Sequence, residues 1–265
     1  MIEFLKLGLC NRFFPGSTLH IVIGFAAVII TGYLLGSLNF GVIISGALYH
    51  DDVRNHGSKA SGATNMLRTY GKLPAAMTFL GDGLKTAAAV LVGALFLGTY
   101  TSVFCGYEGI YAVNEAELAK KILEIYGDSA PGGVMMNFYN GYAGAYIGAM
   151  ASLAGHAFPV WYGFKGGKCV ASTFFMVLCT EPLIALVCLL FFTAVVAATK
   201  FISVGSLMSV IVYPLILNRW TGAGLHNLIA ILAMLFVVYL HRENIMRLIN
   251  GRENKLEFKK KKEKT

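Results

Sequence analysis

Two lysines bracket a glycine pair at Lys165-Gly166-Gly167-Lys168. Adjacent glycines let a backbone approach a bound group closely and turn its N–H groups inward, a shape that cradles anions, and the lysines supply compensating charge. A phosphate-sized anion suits such a tetrapeptide; a basic loop that only sets membrane topology would use the same residues. A second polar stretch, Asp51 to Asn65, is rich in glycine, hydroxyl and amide groups and holds Arg54, Thr64 and Asn65, with Arg68 nearby. It could hydrogen-bond a polyanion or serve as a solvated connector built from turn residues. His156 precedes the glycine pair and His241 opens His241-Arg242-Glu243-Asn244. Imidazole titrates near neutrality and suits a general base, whereas a lone interfacial histidine is more often a polar cap. Ser37, inside an apolar run, either bonds the carbonyl one turn back or faces a polar cavity. Asp82 and Lys85, three apart in another apolar run, can meet on one helix face, and a structural ion pair is the expectation for charges so placed.

The elements that must position these groups are membrane helices. The chain of 265 residues is 56% hydrophobic and only 14% charged, against about 25% charged residues in a soluble domain. Its apolar residues fall in long runs, not in the alternating ten-residue pieces of a closed barrel. The expectation is an all-α polytopic membrane domain with seven helical spans, some short or broken, over 19–48, 74–99, 141–161, 170–180, 182–199, 204–217 and 225–241. Residues 100–140, with a net acidic balance and helical periodicity over Glu115 to Tyr126, read as an extracytoplasmic insertion. Residues 242–265 read as a basic cytoplasmic tail able to touch anionic lipid headgroups, and a nucleic-acid partner is not expected. With seven crossings, Arg54, Lys59, Arg68, Lys72, Lys165, Lys168, Lys200 and the tail share the cytoplasmic side, with the N-terminus outside. Gly144, Gly148 and Ser152, spaced by four, form a stripe for close helix packing. The five cysteines form no CxxC pair and point to neither a disulfide framework nor a metal site, and residues 1–16 do not read as a cleaved signal.

Several blocks in order carry a resemblance: Gly36-Ser37, Arg54 with Gly57-Ser58 and Gly62-Ala63-Thr64-Asn65, Gly155-His156 with Phe158-Pro159-Val160, Gly163 to Lys168, Ser203 with Gly205-Ser206, and His241-Arg242-Glu243-Asn244-Ile245. Together they are similar to the bacterial acyl-phosphate:glycerol-3-phosphate acyltransferases, the PlsY family. The resemblance implies a seven-helix enzyme of the bacterial inner membrane with its active site at the cytoplasmic face. It implies acyl transfer from acyl phosphate to the sn-1 hydroxyl of glycerol 3-phosphate, giving lysophosphatidic acid and phosphate, with no cofactor and no metal. By matched position, Ser37 and Arg54 are essential, Lys165, Gly166, Gly167 and Lys168 form the phosphate loop, and Ser203 and Ser206 lie near the phosphate. His241 and Asn244 match residues important for activity, and Glu243 one needed for structural integrity. Thr64, Asn65 and His156 join the expected binding residues, and a monomer is expected. The chain departs from the family where Asn39 replaces a proline, Lys59-Ala60 a Gly-Asn pair and Cys169 a glycine, which raises the alternative of a diverged paralogue with another acceptor.

Acyl phosphate is an activated mixed anhydride, so the chemistry asks for two anions to be brought together and neutralised. Direct attack without an acyl-enzyme is expected, with His241 or a substrate phosphate taking the acceptor's proton, Ser37 binding, and the acyl chain lying along Gly144 and Gly148. The rival reading is a transporter of small phosphorylated anions, which broken helices and the charge of Asp82 would suit. No inverted repeat is found, and the key charges gather at one face.

Overall fold

The computed structural model describes residues 18–97, 143–221 and 225–256, and the expected insertion, the N-terminal segment and the last lysines lie outside them. Among the described residues every regular element is helical. Ten α-helices follow in order: α1 Thr18–Gly36, α2 Phe40–Tyr49, α3 Ala63–Thr69, α4 Lys72–Leu97, α5 Ala143–Ala157, α6 Val170–Thr180, α7 Pro182–Thr199, α8 Ile202–Thr221, α9 Leu225–Leu240 and α10 Arg242–Ile249. Pro182 opens α7, where a missing N–H costs nothing. Pro214 lies inside α8, a position that neighbouring membrane helices tolerate. Leucines and isoleucines such as Ile30, Leu84, Leu190, Leu215 and Leu235 stay exposed on the outer faces, as lipid-facing surface requires.

The first expected span is two helices, α1 and α2, separated at Ser37-Leu38-Asn39. Among the described residues four segments are long and apolar enough to cross a bilayer, Val22–Tyr49, Lys72–Leu97, Pro182–Thr199 and Ile202–Trp220. The bent pair His226–Leu240 and Arg242–Ile249, with 56° between them, makes a fifth. Seven spans are therefore not reached by length among the described residues. At 15 and 11 residues, α5 and α6 extend only about 22 and 16 Å, short of a hydrocarbon core of roughly 30 Å.

The bundle is closest where side chains are smallest. A Cβ on Gly36 would collide with the carbonyl of Ser152, one on Gly148 with that of Ala89, and Gly93 and Gly144 face each other backbone to backbone. The stripe on α5 thus packs α1 and α4 against it and leaves no room there for an acyl chain. Tyr146, Leu153, Met176, Ile184, Tyr213 and Leu217 fill the remaining core.

Candidate active site

A cavity of about 410 Å³, mostly apolar in its lining but carrying a cluster of polar side chains, opens among α3, α4, α6, α8 and the α9–α10 bend. Lys168, Asn244, His241 and Ser203 line it, and Thr64 joins them from the start of α3. Lys168 donates from Nζ to Asn244 Oδ1. Burial, and then the neighbouring positive charge of Arg247, bring the Lys168 ammonium down to about 8. His241 is buried at the bend, and its Nδ1 lies 2.8 Å from the Val237 carbonyl. A carbonyl only accepts, so Nδ1 carries the proton and Nε2 is left with a lone pair. Ser206 also lines the cavity, and its hydroxyl donates to the Ile202 carbonyl at 3.0 Å.

Sequence reasoning missed the carboxylate that organises this wall. Glu253 accepts from Asn244 Nδ2 at 2.8 Å and Ser203 Oγ at 3.0 Å through one oxygen, and from Arg247 Nε at 2.8 Å through the other. Burial pushes its carboxyl up, and the hydrogen bonds from Arg247, Asn244 and Ser203 outweigh that and hold it below the usual range. Residues 251–256 accordingly fold back after α10, and the Leu256 N–H reaches the Lys200 carbonyl at 2.7 Å. Glu243, expected as the structural carboxylate, is 65% exposed and lies 3.8 Å from Arg247, an exposed pair of small worth. Gly251, in the left-handed region at φ 64°, is the one local signal that the chain turns back before Glu253.

The glycine pair behaves differently from the expected anion cradle. The Gly166 N–H donates to the Ala157 carbonyl and the Gly167 N–H to that of His156, both at 3.1 Å, so neither faces an anion. The glycines are required because a Cβ on Gly166 would strike the His156 carbonyl and one on Gly167 the His156 ring at Nε2. Lys165 is exposed and outside the cavity wall. Arg54 also lies outside it. Its guanidinium pairs with Asp52 at 2.7 Å and donates to the carbonyls of Tyr162 at 2.8 Å and Lys165 at 2.9 Å, which fastens the first polar loop to the lysine loop. The Arg54 hydrogen bond in turn lowers the Asp52 carboxyl. Ser37 is fully buried, donating to the Tyr33 carbonyl at 2.9 Å and accepting from the Val160 N–H at 3.4 Å. Asn65 lines the cavity, yet its amide is consumed by the loop before it, accepting from the Ser58 N–H and donating to the carbonyls of Val53, His56 and Ala60. Four expected ligands, Ser37, Arg54, Gly166 and Gly167, therefore shape the site from behind.

Asp82 and Lys85 form the anticipated ion pair at 2.9 Å. Lys85 also donates to the Leu38 carbonyl at 2.6 Å and meets His156 Nδ1 at 2.9 Å. The same Nδ1 lies 3.5 Å from Asp82 Oδ1, so His156 completes a buried cluster of three side chains. The three departures from the family pattern have local geometry. Lys59 and Cys169 stand at φ 56° and 62°, where a glycine is at ease. Asn39 donates to Ser61 Oγ at 2.7 Å, tying the α1–α2 break to the first loop.

An apolar groove of about 120 Å³ continues the larger cavity between α6, α7 and α8, the two sharing Phe79, Val170, Phe192 and Ser206. A cation-bearing mouth at the end of a lipid-level groove suits an amphiphile with a phosphate at one end, the site of a membrane enzyme of lipid chemistry. The comparisons with known proteins agree. The family model described as glycerol-3-phosphate acyltransferase matches residues 26–251, and the chain belongs to that family. The glycerol-3-phosphate acyltransferase of Clostridioides difficile is 33% identical over 90% of this chain and 98% of its own length. That of Neisseria meningitidis serogroup C is 35% identical over 87% and 96%. The crystal structure of PlsY, an integral membrane glycerol 3-phosphate acyltransferase, in its glycerol 3-phosphate form has a TM-score of 0.66 and 29% identity over 88% of this chain and 96% of that one. Its lysophosphatidic acid form has a TM-score of 0.64 and 27% identity, over 88% and 95%.

Proposed function

We propose that the protein transfers a fatty acyl group from acyl phosphate to the sn-1 hydroxyl of glycerol 3-phosphate, releasing lysophosphatidic acid and inorganic phosphate. The observation that carries this reading is the continuity of a cavity carrying polar and cationic side chains with an apolar groove. The groove takes the donor's chain, and Lys168 with Asn244 takes a phosphate at its mouth. Attack by the acceptor oxygen on the acyl carbonyl forms the ester bond as the anhydride C–O bond breaks and phosphate leaves with its electron pair. His241 Nε2, with its lone pair free, orients the hydroxyl or accepts its proton. Ser37 is held by Tyr33 and Val160 outside the cavity wall, which favours direct attack over an acyl-serine.

The protein works as a monomer in this reading. It sits in the bacterial inner membrane with this site and the C-terminus cytoplasmic and the N-terminus outside. The positive-inside tendency supports that orientation, since Lys59, Lys165, Lys168 and Lys200 all fall in the loops around the site.

The test is phosphate release by the purified chain in lipid, given palmitoyl phosphate with and without glycerol 3-phosphate. Release that requires the acceptor and yields lysophosphatidic acid is the expected result. Release without the acceptor would instead mean a hydrolase, and full turnover by His241→Ala would remove that imidazole from the reaction.

A further inference from the structure

The apolar groove has a wall that runs down one face of α8. Ser206, Ser209, Val210 and Tyr213 line it at helical spacing, facing Val177 of α6 and Cys188 of α7. From Ser206, which the larger cavity shares, to Tyr213 the helix descends about 10 Å. A single leaflet is roughly 15 Å deep, so the groove meets Tyr213 short of the bilayer centre. Tyr213 is 1% exposed, and its hydroxyl lies 3.5 Å from that of Tyr146, which is itself fully buried. The ring is thus anchored in the core between α5 and α8, where it borders the groove. A hydrocarbon chain reaching this point meets a rigid ring with a paired hydroxyl behind it. It has no polar atom to replace that pairing, so displacing the ring would cost the Tyr213 hydroxyl its contact with Tyr146. The volume points the same way. A dry apolar cavity of about 150 Å³ accepts a benzene-sized guest, so the groove of about 120 Å³ has room for only a few methylenes of a chain.

We infer that Tyr213 is the stop of the acyl groove and sets the longest chain that the enzyme uses efficiently. The inference rests on the acyl-transfer reading above. It makes Tyr213 a specificity residue that takes no part in bond making, about two helical turns along α8 from Ser206. Ser209, half-buried in the same wall, is the place where added bulk would bring the stop closer to the mouth.

The experiment compares kcat/KM for lauroyl, myristoyl, palmitoyl and stearoyl phosphates at saturating glycerol 3-phosphate, with the full chain in lipid. Tyr213→Ala deepens the groove and is expected to raise the stearoyl-to-myristoyl ratio by about tenfold or more, the discrimination a hydrophobic pocket gives per unit of chain. Ser209→Leu is expected to lower the same ratio by a similar factor. Tyr213→Phe, which keeps the ring, is expected to retain the wild-type profile. Folded Tyr213→Ala and Ser209→Leu proteins that both keep the wild-type profile would overturn the inference. Should Tyr213→Ala fail to fold, Ser209→Leu decides alone, an unchanged ratio overturning the stop. A wild-type protein that turns over none of the four donors would overturn the acyl-transfer reading and the stop together.

Discussion

Lys168 carries the charge on which phosphate binding most depends, and its environment makes that charge sensitive to pH. Burial and Arg247 bring it down to about 8, from roughly 10.4 in an unfolded chain. As pH rises through about 8 the free enzyme loses this cation, and the expected outcome is a rise in KM for the phosphorylated substrates above that point. A bound phosphate dianion favours the ammonium, so kcat should fall only at higher pH than kcat/KM. The stability sign is opposite. Between about 8 and about 10.4 the folded state binds fewer protons than the unfolded one, so stability rises with pH across that window. A kcat/KM profile flat through this range would remove Lys168 from phosphate binding. At the same scale Glu253 holds three of the polar groups around the cavity, although it lies in a stretch whose composition reads as basic tail. Its role comes from a turn at Gly251 that places it against α8 and α10, and no local pattern in the sequence announces the partners it meets.

Among the elements, the two polar loops act as one. Arg54 clamps the lysine loop by its carbonyls, and the amide of Asn65 winds the loop that carries Arg54. The loop bends at Lys59, exposed and at φ 56°. A left-handed conformation costs an L-residue roughly 1–2 kcal/mol, and glycine's extra chain entropy in the unfolded state gives part of that back. Lys59→Gly is therefore expected to stabilise the protein by about 1 kcal/mol, read as a higher thermal midpoint in detergent, with turnover retained. An unchanged or lower midpoint would mean that the bend is not strained. The glycine pair is an instance where residue type was legible and its reason was not. Gly166 and Gly167 are adjacent in the sequence, but the surface that excludes a Cβ there is His156, contributed by the end of α5.

At the scale of the molecule, the Asp82–Lys85–His156 cluster joins α4, α5 and the α1–α2 break inside the bundle. Removing one member leaves a buried charge without its partner, a loss of about 3–5 kcal/mol, whereas replacing both charges by apolar groups is often close to neutral. Lys85→Met is expected to lower the thermal midpoint markedly, and Asp82→Leu combined with Lys85→Met to recover most of the loss. Strict additivity of the two single effects would show that the pair is not coupled. Membrane packing also explains why the acyl chain is not found along Gly144 and Gly148. Those small residues let α4 and α1 come into backbone contact with α5, which closes the space instead of opening it.

The helical membrane class, the family and the ion pair on α4 were legible in the sequence, as was the expectation that Arg54, Lys165, Lys168, His241 and Asn244 gather at one face. These follow from long apolar runs, from motif order and from i,i+3 spacing, all of which are local. Three-dimensional packing was needed to show which of those residues line the cavity, that Glu253 joins them, that Arg54 and Ser37 stand behind it, and that the groove reaches Tyr213. Such facts depend on contacts between residues far apart in the chain, as Ser203 is from Glu253 and Tyr146 from Tyr213. Packing sets them when the helices close on one another, and no local pattern of spacing encodes it.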